Sequence, residues 1–323
     1  MVLEESTIFL CLAGSHAHGT AGHGSDIDLR GVCVAPLSVR CSLFQQFEQT
    51  ESALPDALWQ RVLPVLQQHA SASRGLGKQV ESVVFDVAKF LRLCASANPN
   101  ALEILFADEQ DWLFKTEVWA TIHAQRHRFL TQMVHQTYVG YAAAQLRRIE
   151  SHRGWLLNPP KAKPSRAEFG LPEVGTFNRD DQKRLEGATG GLPPEVIRTL
   201  AAEKSYRGAM KYWESYLSWE KNRNPARAEL ERKFGYDTKH AAHLIRLMRC
   251  GLEVLQTGTL IVRRPDADEL VAIKQGSWSY DRLIDESEAL TADLAVAFAT
   301  TSLPEDVDRS WVDELALSAI IRS

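Results

Sequence analysis

Long apolar runs are missing from this chain of 323 residues. A membrane-spanning helix needs roughly 18 consecutive apolar residues, and the first apolar stretch, Ile8 to Ala13, stops at Gly14. It also follows Glu4 and Glu5, where a secretory leader would open with basic residues. A soluble, cytoplasmic protein with no membrane partner is expected. Cysteine is scarce too. The five, Cys11, Cys33, Cys41, Cys94 and Cys250, are odd in number and form no CxxC pair, which argues against a disulfide framework or a thiolate zinc ribbon and for reduced, buried thiols. Internal repeats and low-complexity tracts are absent as well.

What is present is enough apolar residue, 45%, to bury one large core or two modest ones, and two structural regions are expected. The net charge of -4 hides a strong asymmetry. Lys and Arg against Asp and Glu number 8 against 14 over residues 1–120, 23 against 14 over 121–255, and 6 against 13 over 256–323. A segment at +9 between two acidic flanks is a layout suited to a polyanion or a nucleoside triphosphate, although a solvated helical surface would look the same.

Residues 7–13 read as a strand buried on both faces, 27–34 as a second strand stopped by Pro36, and 80–85 as a third, together a small sheet. Asp86 is placed to cap a helix carrying Val87, Phe90 and Leu91, and Pro99 to open the next, with Leu102, Leu105 and Phe106 as its stripe. Beyond residue 117 the periodicity is helical, near 117–153, 194–221, 225–234 and 238–257, with the proline-rich residues 154–194 as a long irregular segment. Leu260 to Val262 reads as a short β piece that pairs with residues 270–273, before acidic helices close the chain.

The most informative stretch is Gly14-Ser15-His16-Ala17-His18-Gly19-Thr20, then Ala21-Gly22-His23-Gly24-Ser25, then Asp26-Ile27-Asp28-Leu29. A Gly-Ser turn opening a helix lets backbone N–H groups and a hydroxyl converge on phosphate, because a helix start carries unpaired donors and the positive end of the dipole. Asp26 and Asp28 are two apart on a strand, so both carboxylates point to one face. Two close carboxylates repel, and a hard cation such as Mg²⁺ that bridges them to substrate phosphates removes the conflict. His16, His18 and His23 could instead be read as ligands of a transition-metal hydrolase, but residues at i and i+2 of a helix do not share a face.

Gly-Ser, ten intervening residues and Asp-x-Asp between two apolar runs resemble the signature of the DNA polymerase β-like nucleotidyltransferases. Lys89-Phe90-Leu91-Arg92-Leu93, Asn98-Pro99-Asn100-Ala101-Leu102-Glu103, Tyr138-Val139-Gly140-Tyr141, and Glu231 through Leu247 resemble, more narrowly, the RNA repair pathway DNA polymerase beta family. The resemblance implies an α+β fold, with a catalytic domain of small mixed sheet and helices over residues 1–118 and a mainly helical domain over 119–323, the latter holding the short β element near 260–273. It implies transfer of a nucleoside monophosphate from a nucleoside triphosphate to an acceptor hydroxyl, with an RNA end as the acceptor and two Mg²⁺ ions, replaceable by Mn²⁺, on Asp26, Asp28 and a third acid. Glu81 and Asp86 compete for that third place: Glu81 lies within a strand and is favoured, whereas capping accounts for Asp86. Gly14, Ser15 and Ser25 are the expected nucleotide-binding residues of the turn. Other acceptors, a protein or a small molecule, and a non-catalytic nucleotide-binding regulator remain open alternatives.

Within residues 238–257, Asp237 or Thr238 caps, Ala241, Leu244, Met248, Leu252 and Leu255 form the stripe, and Lys239, His243 and Arg246 recur at i, i+4 and i+7 on a face away from it. Cations in a first helical turn oppose the dipole unless an anion sits between, so these three are expected to grip the triphosphate or the acceptor backbone. Tyr141, Gln145 and Arg148 line one face of the earlier helix and are candidates for nucleic-acid contact, because an aromatic, an amide and a guanidinium together stack on and hydrogen-bond to a base.

Overall fold

The computed structural model describes residues 3–77, 79–175, 180, 184, 193–223 and 225–323, the side chains of 226 and 227 excepted. At its centre β1 (Thr7–Leu12) is buried at every position, as its unbroken apolar run requires. It pairs antiparallel with β2 (Ile27–Cys33) on one side and β5 (Trp112–Lys115) on the other. On the far side of β2, β4 (Val80–Asp86) runs parallel to it and carries the two-residue β3 (Gln49–Thr50) at its edge. The order β3-β4-β2-β1-β5 is thus a small mixed sheet. Three of its strands are legible in the sequence; β3 and β5 are too short to show a period. Gly31 is required where β1 and β2 touch, since a side chain there would meet Phe9 O at 2.9 Å.

The two faces of the sheet are covered differently. Leu10, Leu12, Ile27, Leu29 and Val84 pack on Val62 and Leu66 of a helix, Asp56–Gln68. Phe9, Cys11 and Val32 join the larger core on the opposite face. There Phe9 stacks on Trp119 with ring centroids 3.8 Å apart. That core is built by the helices Val87–Ala95, Pro99–Leu105, Glu117–Ala124, Met133–Leu157, Thr238–Thr257 and Arg309–Arg322. We number these and the other helices used below in chain order: α1 (Gly14–Ala17), α2 (Asp56–Gln68), α3 (Val87–Ala95), α4 (Pro99–Leu105), α5 (Glu117–Ala124), α6 (Met133–Leu157), α7 (Pro194–Lys221), α8 (Pro225–Phe234), α9 (Thr238–Thr257) and α10 (Ala267–Lys274).

The mainly helical character beyond the sheet and the helices at 194–221, 225–234 and 238–257 are as expected. Two elements differ. The helix expected over 117–153 is broken into α5 and α6, because Phe129 and Leu130 turn inward to full burial and Gln132 N bonds Pro304 O at 2.9 Å. No strand forms at 260–273: Leu260 and Val262 are buried as single side chains of a loop, and Asp266 starts α10, whose Leu270 and Ile273 enter the core as helical neighbours. Their apolar character was right and the period was not.

The chain divides into two compact units, Met1–Arg147 with Thr238–Ser323, and Arg148–Asp237. The expected boundary after residue 118 falls between β5 and the body of α5, inside the first unit. In the second unit Trp155 lies 5.5 Å from Trp219 and 5.7 Å from Tyr212, ring to ring, so these aromatics form a packed cluster. Arg166 is paired there with Glu203 of α7, Nη1 to Oε2 at 3.2 Å. Most of residues 176–192, within the segment expected to be irregular, lies outside the described residues.

Candidate active site at the Gly14–Ser15 turn

β1 delivers the chain into Gly14, whose φ of +56° is a left-handed value that a side chain disfavours. The turn is also closed sterically, because a Cβ on Gly14 would lie 3.1 Å from Asp28 Cγ and closer still to Oδ2. Gly14 to Ala17 then form α1, and Ala13 N bonds Asp28 O at 2.8 Å. The first turn of α1 and the Asp28 carboxylate therefore sit side by side, as the Gly-Ser and Asp-x-Asp spacing predicts.

Asp28 is half-buried on β2, directly beside Glu81 of β4 in the parallel register. Residues paired in this way project to the same face. Asp26 precedes the strand and is exposed. Glu81 is exposed and its Oε1 accepts from Gln79 Nε2 at 3.0 Å, while Asp28 Oδ1 is 3.8 Å from Arg30 Nη2. Asp86 is engaged elsewhere. Its Oδ1 caps α3 through Ala88 N at 2.9 Å, and its Oδ2 receives Arg40 Nη2 at 2.5 Å and Ala35 N at 3.2 Å.

Among the described residues one group of three His, Cys, Asp or Glu side chains has its ligand atoms all within 4.8 Å of one another: His152, Glu231 and Asp237, in the second unit. Arg223 donates to Glu231 Oε2 there from Nε at 2.8 Å. Asp26, Asp28 and Glu81 are not gathered that closely. Their donor chemistry still suits a hard divalent cation: all offer carboxylate oxygen, none is deeply buried, and Asp28 Oδ2 lies against a helix start.

His16 and His18, two residues apart, leave α1 in different directions, and each meets a buried carboxylate network. His18 Nε2 lies 3.0 Å from Glu103 Oε2 of α4. The other oxygen of Glu103 receives Arg246 Nη1 of α9, and Arg246 Nη2 lies 3.0 Å from His243 Nδ1. Burial alone would push the Glu103 carboxyl up, but Arg246 and His18 beside it hold it well below the usual carboxylate range. Burial, reinforced by Arg246, pushes His18 down and His243 down to about 3, so both imidazoles are neutral at neutral pH. On the other side His16 Nδ1 is 2.9 Å from Ser71 Oγ, in a chain that continues through His69 to the fully buried Asp111. His23 is exposed.

The expected basic face of α9 is not a solvent face. Lys239 is exposed, His243 is partly buried and Arg246 is 4% exposed, with both terminal nitrogens occupied. The helix packs against neighbours on more sides than a single stripe would need, so i, i+4 and i+7 span from water to core. Lys239 has a companion that the sequence did not single out, Lys274 at the end of α10. Burial first and the charge of Lys239 second lower its pKa, and its carbonyl receives Thr238 Oγ1 at 2.8 Å. On α6, Tyr141 is half-exposed with its hydroxyl taken by Asn98 Nδ2 at 2.8 Å, Gln145 is half-buried, and Arg148, which begins the second unit, is exposed.

Sequence reasoning missed Glu103, His69, Ser71, Asp111 and Arg263. Glu103 carried a signal, since it falls at i+4 from Pro99 and i−3 from Phe106 on the apolar face of α4. No curated protein and no solved structure matches the chain. Residues 3–157, which hold the Gly14–Ser15 turn, Asp26, Asp28, Glu81 and Glu103, match the model of the RNA repair pathway DNA polymerase beta family.

Proposed function

We propose that the chain is a metal-dependent nucleotidyltransferase that moves a nucleoside monophosphate from a nucleoside triphosphate to an acceptor hydroxyl, with an RNA end as the acceptor. The observation that carries this is the apposition of Asp28 with the Gly14–Ser15 turn on one side and Glu81 on the other. A helix start and a pair of strand carboxylates have one natural joint occupant, a polyphosphate with its cation. The match of residues 3–157 to the family model supports the nucleotide and nucleic-acid side of the reading.

In this reading Asp26, Asp28 and Glu81 hold Mg²⁺, or Mn²⁺ in its place, which when bound lowers the pKa of the attacking hydroxyl and offsets phosphate charge. Gly14 lets the backbone approach the triphosphate, Ser15 and Ser25 offer hydroxyls to it, and Lys239 with Lys274 draws the polyanion by charge. The acceptor oxygen forms a bond to the α-phosphorus, the bond from that phosphorus to the bridging oxygen breaks, pyrophosphate leaves, and the hydroxyl proton goes to water. His243 and Arg246 act indirectly, through Glu103 and His18, by fixing the turn. Tyr141, Gln145 and Arg148 serve as contacts for nucleic acid, each from its own place on α6.

The test is incubation of the purified protein with each labelled nucleoside triphosphate, Mg²⁺ and total RNA, beside Asp28→Asn. Label incorporated by the wild type and lost in Asp28→Asn, with an unchanged melting temperature, is the expected result. Equal incorporation by both would refute the mechanism. An RNA acceptor held by several cations also predicts binding that weakens steeply with salt, which a small acceptor would not show.

A further inference from the structure

We propose that Arg263, on the loop between α9 and α10, is a positioning residue for the Gly14–Ser15 turn: its guanidinium joins the backbone at the far end of α1 to the buried Asp111 and so fixes how the turn is presented to Asp28. The inference rests on the transferase reading for its catalytic meaning, while the clamp itself stands on hydrogen bonds in the structure.

A helix of four residues is too short to hold its own place. α1 has no side-chain cap at its start and buries only His16 and Ala17. Bonds from His18 N to Gly14 O at 3.0 Å and from Thr20 N to Ser15 O at 2.9 Å close it into a unit, but they set its shape and not its orientation. Orientation takes backbone ties to the surroundings at both ends. At the entry Ala13 N bonds Asp28 O at 2.8 Å. At the exit the ties come from a segment 247 positions further along the chain: Arg263 Nη2 donates to the His16 carbonyl at 3.4 Å and to Asp111 Oδ1 at 2.6 Å, and Arg264 N donates to the His18 carbonyl at 3.2 Å. The donor's charge strengthens even the longer of the two guanidinium bonds. Gly19, with a φ of +76°, lets the loop close on the turn, since a Cβ there would already touch Ala267 Cβ at 3.5 Å and Arg263 Nη1 at 3.7 Å.

The clamp is firmly based on both sides. Asp111 is fully buried just ahead of β5, and a buried carboxylate paired with a cation is a fixed point, because moving the cation away would strand the charge. The loop is fastened by Arg264, which is buried and donates to Glu253 Oε2 of α9, to the Ile261 carbonyl and to Asp266 Oδ1, each at 3.0 Å. Leu260 and Val262 are buried on either side of Ile261. Arg264 therefore holds the loop in place, and Arg263 holds α1 to the loop and to the base of β5. Ser15 immediately precedes the clamped carbonyl, so its hydroxyl inherits its direction from this contact.

Arg263→Met alone would strand Asp111, so the test compares Asp111→Asn with the double variant Asp111→Asn, Arg263→Met. The first keeps an oxygen for the guanidinium and leaves the bond to His16 in place, and the second removes the clamp without leaving a buried charge. Amide hydrogen exchange at His18 and Thr20, whose N–H groups close the turn, should speed up about ten-fold or more in the double variant relative to Asp111→Asn, the scale of one charged hydrogen bond. The amides of β1 and β2 should exchange as before. The dissociation constant for ATP in the presence of Mg²⁺, measured by calorimetry, should rise by a similar factor in the double variant only. Exchange at His18 and Thr20 within two-fold of Asp111→Asn, acceleration spread equally over β1 and β2, or an unchanged ATP constant would overturn the proposal. Wild-type protein without any metal-dependent ATP affinity would refute the transferase reading, and the exchange rates would still decide whether Arg263 holds the turn.

Discussion

Replacement of Glu103 by leucine should expose how the turn is braced. The change leaves the Arg246 guanidinium, 4% exposed, without the carboxylate that receives its Nη1, and its remaining side-chain neighbour here is the neutral His243. Stranding one member of a buried ion pair costs about 3–5 kcal/mol, and the lost contact to His18 Nε2 adds about 1 kcal/mol. We expect a total of about 4–6 kcal/mol, large against a typical folding free energy of about 5–15 kcal/mol. A second change, Arg246→Met, removes the stranded charge and should return more than half of the loss, because an apolar pair of similar volume fills the same space without desolvated charge. Urea unfolding followed by tryptophan fluorescence measures both. With a slope of about 3 kcal/mol/M, the midpoint should fall by about 1.5–2 M in Glu103→Leu and recover by more than half in the double variant. A single-variant cost below about 1 kcal/mol, or losses that simply add in the double variant, would show that the cluster is not the coupled unit described.

Gly14→Ala should combine a left-handed backbone cost of about 1–2 kcal/mol with displacement of the Asp28 carboxylate, so a modest fall in melting temperature should accompany complete loss of metal-dependent nucleotide binding, measured by calorimetry. Glu81→Gln and Asp86→Ala should part company in one activity and melting experiment. The first should lose transfer at unchanged stability, since Glu81 is exposed, and the second should lose about 2–4 kcal/mol of stability through its cap and its Arg40 ion pair. Stability should also be acid-labile. His18 and His243 have folded pKa values below the ordinary 6.5, so their contribution is complete above that pH and is lost as pH falls, for His243 through about 3. Glu103, also depressed, adds a further loss below its ordinary 4.5. Melting temperatures that stay level from pH 7 to pH 4 would contradict this.

The strand that feeds Gly14, the Asp86 cap, the helix start at Pro99, and the helices at 194–221, 225–234 and 238–257 were legible because each depends on neighbours within a few residues, where side-chain period and capping chemistry speak directly. The Gly-Ser and Asp-x-Asp pairing was legible for the same reason: one turn and one strand suffice to bring Gly14 against Asp28. What joined Asp28 to Glu81, 53 positions apart, was the parallel register of β2 and β4, a choice made by the whole sheet. Likewise only tertiary packing turned Arg246 from a cation on a helical face into the buried partner of Glu103, and tied His16 to Asp111 through Ser71 and His69. Local pattern determines what an element is, but the burial of its polar residues depends on what lands on it from elsewhere in the chain. That is where the electrostatics of this site are decided.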